Sequence, residues 1–294
     1  MRHNLYIHKK LCIYMHKIKH LVFSGGGPNF LFEYGALKKS HQDQIWSYEN
    51  LDSIHGTSSG AILGLIVLLQ LNWDHVDEYL IKRPWEKVFH ISPSLLFQFY
   101  ENKGLFGSHL FSQILQPLLK SVDLDCDITL TELFTRFPIP FHVYSTSLNS
   151  FQTVCVNYLT YPNITIINAI QMSCSIPPLF APIQINDEWF FDGGLLSNYP
   201  LKFCESDKEA IMGITHMPVE EKNISISNIL DYIFTIINKI IHAFNHNSSL
   251  LPGTEIKIKM KSMNLQFWKE AICSSETRKK MIEEVEYSLH QNLV

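Results

Sequence analysis

Apolar positions along the chain fall into two rhythms, and the way these alternate predicts the architecture. Short, mostly apolar runs bounded by glycine or polar residues predict strands at Lys19 to Phe23, Asp52 to His55, Phe141 to Ser145 and Ile183 to Phe191. Between them, helical spacing predicts helices at Leu31 to Lys39 and Ala61 to Leu71. Strands alternating with helices indicate an α/β fold. Further on, Glu255 to Lys261 alternates as a strand with a basic exposed face of Lys257, Lys259 and Lys261, and Ser275 to His290 carries Met281, Ile282, Val285 and Leu289 on the stripe of a docked helix. The longest apolar stretch, Ile224 to Phe244, is broken by Ser225, Ser227, Asn228, Asp231, Asn238 and Lys239, which makes a bilayer span costly. It predicts an amphipathic helix. Packing on the core and contact with lipid use the same periodicity, and core packing is the commoner use.

Three turns in this pattern carry chemistry. Gly56-Thr57-Ser58-Ser59-Gly60 joins the second predicted strand directly to the second helix, with Ser58 at the apex. A turn this sharp strains its central residue and needs small neighbours two positions away on each side, which Gly56 and Gly60 supply. It lifts a serine hydroxyl clear of the backbone and aims the first amides of a helix at any anion formed there, so Ser58 reads as a nucleophile for acyl transfer. Alone, a G-x-S-x-G turn is as often structural as chemical. The first strand runs into Ser24-Gly25-Gly26-Gly27, where successive unshielded amides suit a phosphate or an oxyanion. A dinucleotide loop is disfavoured, because its spacing needs glycine where Phe30 stands and no acidic residue is clearly placed on a second strand. The third turn is Asp192-Gly193-Gly194, a carboxylate at a strand end with two glycines that admit a neighbouring chain. Its plain reading is a hairpin turn, and it gains weight from the other two.

Taken in order, these motifs resemble the patatin-like phospholipases. The resemblance extends to Tyr34-Gly35-Ala36-Leu37, to Ala169 with Ser173-Cys174-Ser175-Ile176-Pro177-Pro178-Leu179-Phe180-Ala181-Pro182, and to Asp192-Gly193-Gly194-Leu195-Leu196-Ser197-Asn198-Tyr199-Pro200. It is clear from Lys19 to Pro200 and looser beyond. It implies a three-layer α/β fold with a central, mostly parallel sheet between helices, and a lipid acyl hydrolase that cleaves fatty acyl esters of glycerophospholipids through a Ser-Asp dyad. Ser58 would be the nucleophile, Asp192 the base, and the amides of Gly26, Gly27 and Ser59 the oxyanion hole. No metal or organic cofactor is required by such a cycle, and the partner is a phospholipid or other acyl ester, with peripheral contact at a membrane. The chain departs from the family where Pro28, Asn29 and Phe30 replace a basic residue and a further glycine. That departure keeps open a second reading, a catalytically weak relative that binds lipid or a protein partner through the same pocket.

Composition adjusts the picture only slightly. With 294 residues, 46% of them hydrophobic, the chain can bury a large single core, and a net charge of -4 gives no electrostatic case for nucleic acid. His142, His216 and His242 lie where a conventional triad histidine could stand, but none sits in a recognisable motif. Asp123-Leu124-Asp125-Cys126-Asp127 begins like a calcium loop, yet Ile128 and Phe134 occupy its glycine and terminal carboxylate. The six cysteines form no C-x-x-C pair and read as free thiols of a cytoplasmic protein. Residues 1–18 read as an extension, either a disordered basic tail or a membrane-seeking arm, with Met15 an alternative start and no secretory signal. Residues 19–294 read as one domain.

Overall fold

The computed structural model describes residues 18–90, 99–217, 226–227, 229–245, 250–259 and 264–292, with only the backbone at residues 230 and 285–292. The predicted extension therefore falls almost wholly outside the described residues, as do Ile224, Ser225 and Lys261. The strands are β1 (His20–Phe23), β2 (Ser53–Thr57), β3 (Phe141–Ser147), β4 (Thr153–Val156), β5 (Ile183–Ile185), β6 (Glu188–Asp192), β7 (Ile211–Met217) and β8 (Thr254–Lys259). The main helices are α1 (Phe30–Gln42), α2 (Ser59–Leu68), α3 (Trp73–Lys82), α4 (Ser108–Lys120), α5 (Leu130–Arg136), α6 (Ile166–Cys174), α7 (Ile229–Asn245), α8 (Leu265–Cys273) and α9 (Ser275–Asn292). β8, β7, β1, β2 and β3 lie side by side and parallel, while β4, β5 and β6 join through antiparallel pairs. The expected mostly parallel sheet between helices is present.

Alternation along β1 shows how the layers divide. Leu21 and Phe23 enter the main core with residues of α1, α2 and α6, whereas Val22 faces a small second cluster with Leu201, Cys204 and Ile211. The helix α9 docks on α1 at Gly35, where any side-chain carbon would collide with the Ile282 carbonyl, and Met281 and Ile282 are buried in that contact as predicted. Arg278 fastens the same helix by donating to the carbonyls of Leu80, Ile81, Arg83, Ala271 and Ile272. The aspartates of the calcium-like run lie in an exposed loop, and the helix that follows is set by a capping box between Thr129 and Glu132.

Two expectations need correction. The run Ile183 to Phe191 is a hairpin of two strands, because Asn186 and Asp187 both take positive φ, 50° and 62°, and turn the chain between β5 and β6. The amphipathic helix starts at Ile229. It does pack inward through the buried Phe234, yet Ile229, Tyr232, Ile236 and Phe244 stay exposed.

Candidate active site

The site is assembled on one edge of β3. β4 occupies the opposite edge along positions 143–146, so β2, paired at 141–144, and β6, paired at 145–147, must share the remaining edge end to end. Thr57 at the end of β2 pairs with Tyr144, and the next position on β3, Ser145, pairs with Asp192 at the end of β6. Ser58 and Asp192, 134 positions apart in the chain, therefore meet at the seam.

Ser58 joins β2 to α2 with φ 53° and ψ −128°, a conformation that residues with a side chain avoid. Its amide donates to the Ser173 hydroxyl at 2.7 Å, which in turn donates to the Tyr144 carbonyl at 2.5 Å. A methyl group on Gly56 would lie 2.5 Å from the Gly60 carbonyl oxygen, and one on Gly60 would strike the carbonyls of Ser24 and Phe23. The elbow is thus closed by backbone against backbone. From it, Ser58 Oγ donates to Asp192 Oδ2 at 2.6 Å, while Gly194 N–H donates to Asp192 Oδ1 at 2.7 Å. Asp192 is only 3% exposed, and burial pushes its carboxyl up to about 6, against the opposing pull of the Ser58 and Gly194 hydrogen bonds. A carboxylate raised in this way holds a proton more readily than a surface aspartate and is better matched to base catalysis near neutral pH. Cys174 is buried beside the pair, and burial followed by the Asp192 charge pushes its thiol well above the usual range.

The glycine loop packs against this pair. Gly25 is clamped to Asn198, donating its amide to the Asn198 carbonyl at 3.0 Å and accepting from Asn198 Nδ2 at 2.8 Å. The Gly26 amide donates to Ser59 Oγ at 2.9 Å, so in this state it is spent on the loop's own support. Gly27 takes φ 52° and leads into a single turn through Asn29, and the amides of Gly27 and Ser59 carry no hydrogen bond among the described residues. Asn29 is fully buried and its carboxamide donates to the Gly26 carbonyl at 3.1 Å. The position that lacks a basic side chain thus braces the loop from within. Phe30 simply opens α1 in a helical conformation.

The three histidines weighed for a triad do not bond Ser58 Oγ. His142 stacks on His55 with ring centres 4.5 Å apart, His242 is exposed on α7, and His216 lies beneath Gly26. Several functional positions had no assigned role in the sequence. Ser173 sits in the last turns of α6, where a serine is unfavourable unless its hydroxyl is used, and that was the available signal. Asn198 and Asn245 are linked, Asn198 N–H donating to Asn245 Oδ1 at 2.6 Å and Asn245 Nδ2 to the Gly194 carbonyl at 3.0 Å, which ties α7 to the aspartate turn. Among the described residues no cluster of histidine, cysteine or acidic side chains is placed to hold a metal ion, and no helix is long and apolar enough to cross a membrane.

The chain is 24% identical over 262 residues to the uncharacterized protein R571 of Acanthamoeba polyphaga mimivirus, covering 85% of this chain and 86% of that one. It is 24% identical over 185 residues to the probable lipid hydrolase 463L of Invertebrate iridescent virus 6, covering 62% of each. In three dimensions it resembles VipD from Legionella pneumophila with a TM-score of 0.50 at 14% identity, over 91% of this chain and 67% of that one, a likeness of fold. The model of the family described as patatin-like phospholipase matches residues 21–204, more than half of the sequence, a span that includes Ser58 and Asp192. The chain belongs to the patatin-like phospholipase family.

Proposed function

We propose that this protein is a lipid acyl hydrolase that cleaves fatty acyl esters of glycerophospholipids through Ser58 and Asp192. The observation that carries the reading is the 2.6 Å hydrogen bond from a strained, elevated serine to a buried carboxylate raised to about 6. Family membership supports it, as does the relative named a probable lipid hydrolase. Ser58 Oγ attacks the ester carbonyl while Asp192 Oδ2 takes its proton, and the oxyanion meets the free amides of Gly27 and Ser59, joined by Gly26 if Ser59 Oγ releases it. Collapse expels the lysolipid or alcohol, which recovers the proton from Asp192. Water then gives a proton to Asp192 as it attacks the acyl-Ser58 ester, and collapse frees the fatty acid while Asp192 returns that proton to Ser58 Oγ.

Access to substrate points to peripheral membrane contact. Phe151, itself exposed, bridges the end of α7 at Phe244 (ring centres 6.2 Å) and Phe191 on β6 (6.5 Å), so the outer apolar stripe of α7 abuts the strand that carries Asp192. Lys257 and Lys259 are exposed on β8. Flotation with anionic vesicles at low salt, declining as salt rises, is the expected signature.

The deciding experiment is release of fatty acid from mixed phospholipids, followed by mass spectrometry. Ser58→Ala and Asp192→Asn should each lower turnover on the order of 10⁴-fold, and the double variant should be little worse than either, because the two act as a unit. Wild-type turnover in Asp192→Asn would refute the dyad. Lipid binding without hydrolysis in the wild type would favour the catalytically weak reading instead. Because the base must be ionised, kcat/KM should rise with pH through about 6 and level off above it. Linkage has the opposite sign: Asp192 holds its proton more tightly in the folded protein, so its contribution to stability falls as pH rises from the ordinary aspartate range through about 6. Asp192→Asn should therefore unfold at a higher temperature than wild type at pH 8.

A further inference from the structure

His216, on β7, lies with its imidazole directly against the backbone of Gly26. A side-chain carbon on Gly26 would overlap the ring, lying 2.8 Å from Nε2 and 2.9 Å from Nδ1. Glu33, in the first turn of α1, is fully buried behind it. The Ser24 hydroxyl donates to Glu33 Oε1 at 2.8 Å and lies 3.2 Å from His216 Nδ1, and Glu33 Oε1 is 3.5 Å from His216 Nε2. Among the described residues Glu33 Oε2 and His216 Nε2 have no hydrogen-bond partner. A buried acid and a buried base, facing each other with unused capacity beneath an oxyanion loop, are more than packing requires.

Burial pushes the Glu33 carboxyl well above the usual range, against the pull of the Ser24 hydrogen bond, and pushes the His216 imidazole down to about 4, against the pull of the Gly25 and Asn29 backbone, so at neutral pH the proton rests on Glu33 and both groups are uncharged. The hydrogen bonds fit that state: with the Ser24 proton given to Glu33, the Ser24 oxygen accepts from His216 Nδ1–H, and the Nε2 lone pair faces the carboxyl. Of the ionisable groups nearby, Tyr199 is kept protonated by burial and then by the Glu255 carboxylate, and Glu255 is paired with Lys257 at 3.0 Å.

We propose that Glu33 and His216 are a proton-sharing pair that positions and polarises the oxyanion loop. The proposal rests on the Ser58 hydrolase reading. When negative charge develops on the substrate oxygen, the O–H bond of Glu33 breaks and an N–H bond forms at His216 Nε2. The acid becomes a carboxylate, the imidazole an imidazolium, and the net charge of the pair is unchanged. The positive end of the new dipole is the end that touches Gly26, and it supplies from below the cationic character that Asn29 does not supply from the loop itself. The proton returns when the tetrahedral species collapses.

Side-chain ¹⁵N resonances of histidine, recorded on the full chain before and after an organophosphonate probe modifies Ser58, test this directly. At pH 7 His216 should pass from the neutral Nδ1–H tautomer to the imidazolium in the adduct. In Glu33→Gln the adduct should leave His216 neutral, and kcat on a soluble ester should fall about tenfold with KM unchanged. A neutral His216 in wild-type enzyme labelled at Ser58, or a wild-type kcat in folded Glu33→Gln, overturns the pair while sparing the hydrolase reading. Failure of the probe to label Ser58 overturns both. The wild-type spectra decide the matter even if Glu33→Gln does not fold.

Discussion

The nucleophile elbow and the glycine loop are both glycine turns between a strand and a helix, and both reach Ser58, but they are held in place by different means. At the elbow, Gly56 faces the Gly60 carbonyl and Gly60 faces those of Phe23 and Ser24, so main chain confronts main chain and only hydrogen fits between. In the loop, side chains do the holding: Asn198 on Gly25, Ser59 and the loop's own Asn29 on Gly26, His216 beneath it. A steric constraint admits one residue type. A network of hydrogen bonds admits substitution wherever another donor or acceptor can take over, which fits a loop where Pro28, Asn29 and Phe30 stand in place of the basic residue and extra glycine that the resemblance implies.

If that contrast is right, the elbow should be the less forgiving of the two. Gly60→Ala has no relaxed solution, since its methyl would lie 2.7 Å from the Phe23 carbonyl oxygen. It should lose on the order of 10³-fold in turnover together with roughly 3 kcal/mol of stability in urea denaturation. Retention of wild-type stability would show that the turn can open, and the contrast would fail. Gly26→Pro removes the amide bonded to Ser59 and presses the ring toward His216, and about 100-fold lower kcat is expected. Smallest is Asn29→Ala, which leaves the Gly26 carbonyl with its Asn29 backbone donor alone and should cost about 1 kcal/mol and about tenfold in kcat. A loss at Asn29 as deep as that at Gly60 would mean that the loop is no more adaptable than the elbow.

The same distinction explains what could be read in the sequence. Ser58 with its flanking glycines, the run of three glycines and Asp192 were legible because steric demands leave a fixed local spelling. Asn198 was legible only as part of the resemblance that follows Asp192, without its role on Gly25, and the bond between Ser24 and Glu33 leaves no spacing rule behind. Strands were missed for related reasons. β7 had no assignment, although Ile211, Met212 and Ile214 are buried, because Gly213 and the polar Thr215 and His216 break its apolar run. Asn186-Asp187 was passed over inside what looked like one strand, since two left-handed residues turn the chain without a glycine. His216 was weighed as a proton carrier to Ser58, and its place on β7 puts it under the loop instead.

The shared edge of β3 has a consequence for how the protein comes into being. Ser58 is synthesised and can form its elbow with β2 and α2 well before the ribosome reaches Asp192. The two meet only when the later hairpin β5–β6 docks end to end against β2 on the same strand. Contacts so distant in sequence form late in folding, because closing the intervening chain must be compensated by what has already assembled. Under the proposed dyad, a nascent or truncated chain displays a serine without its base, and esterase activity would report that the β5–β6 hairpin has docked.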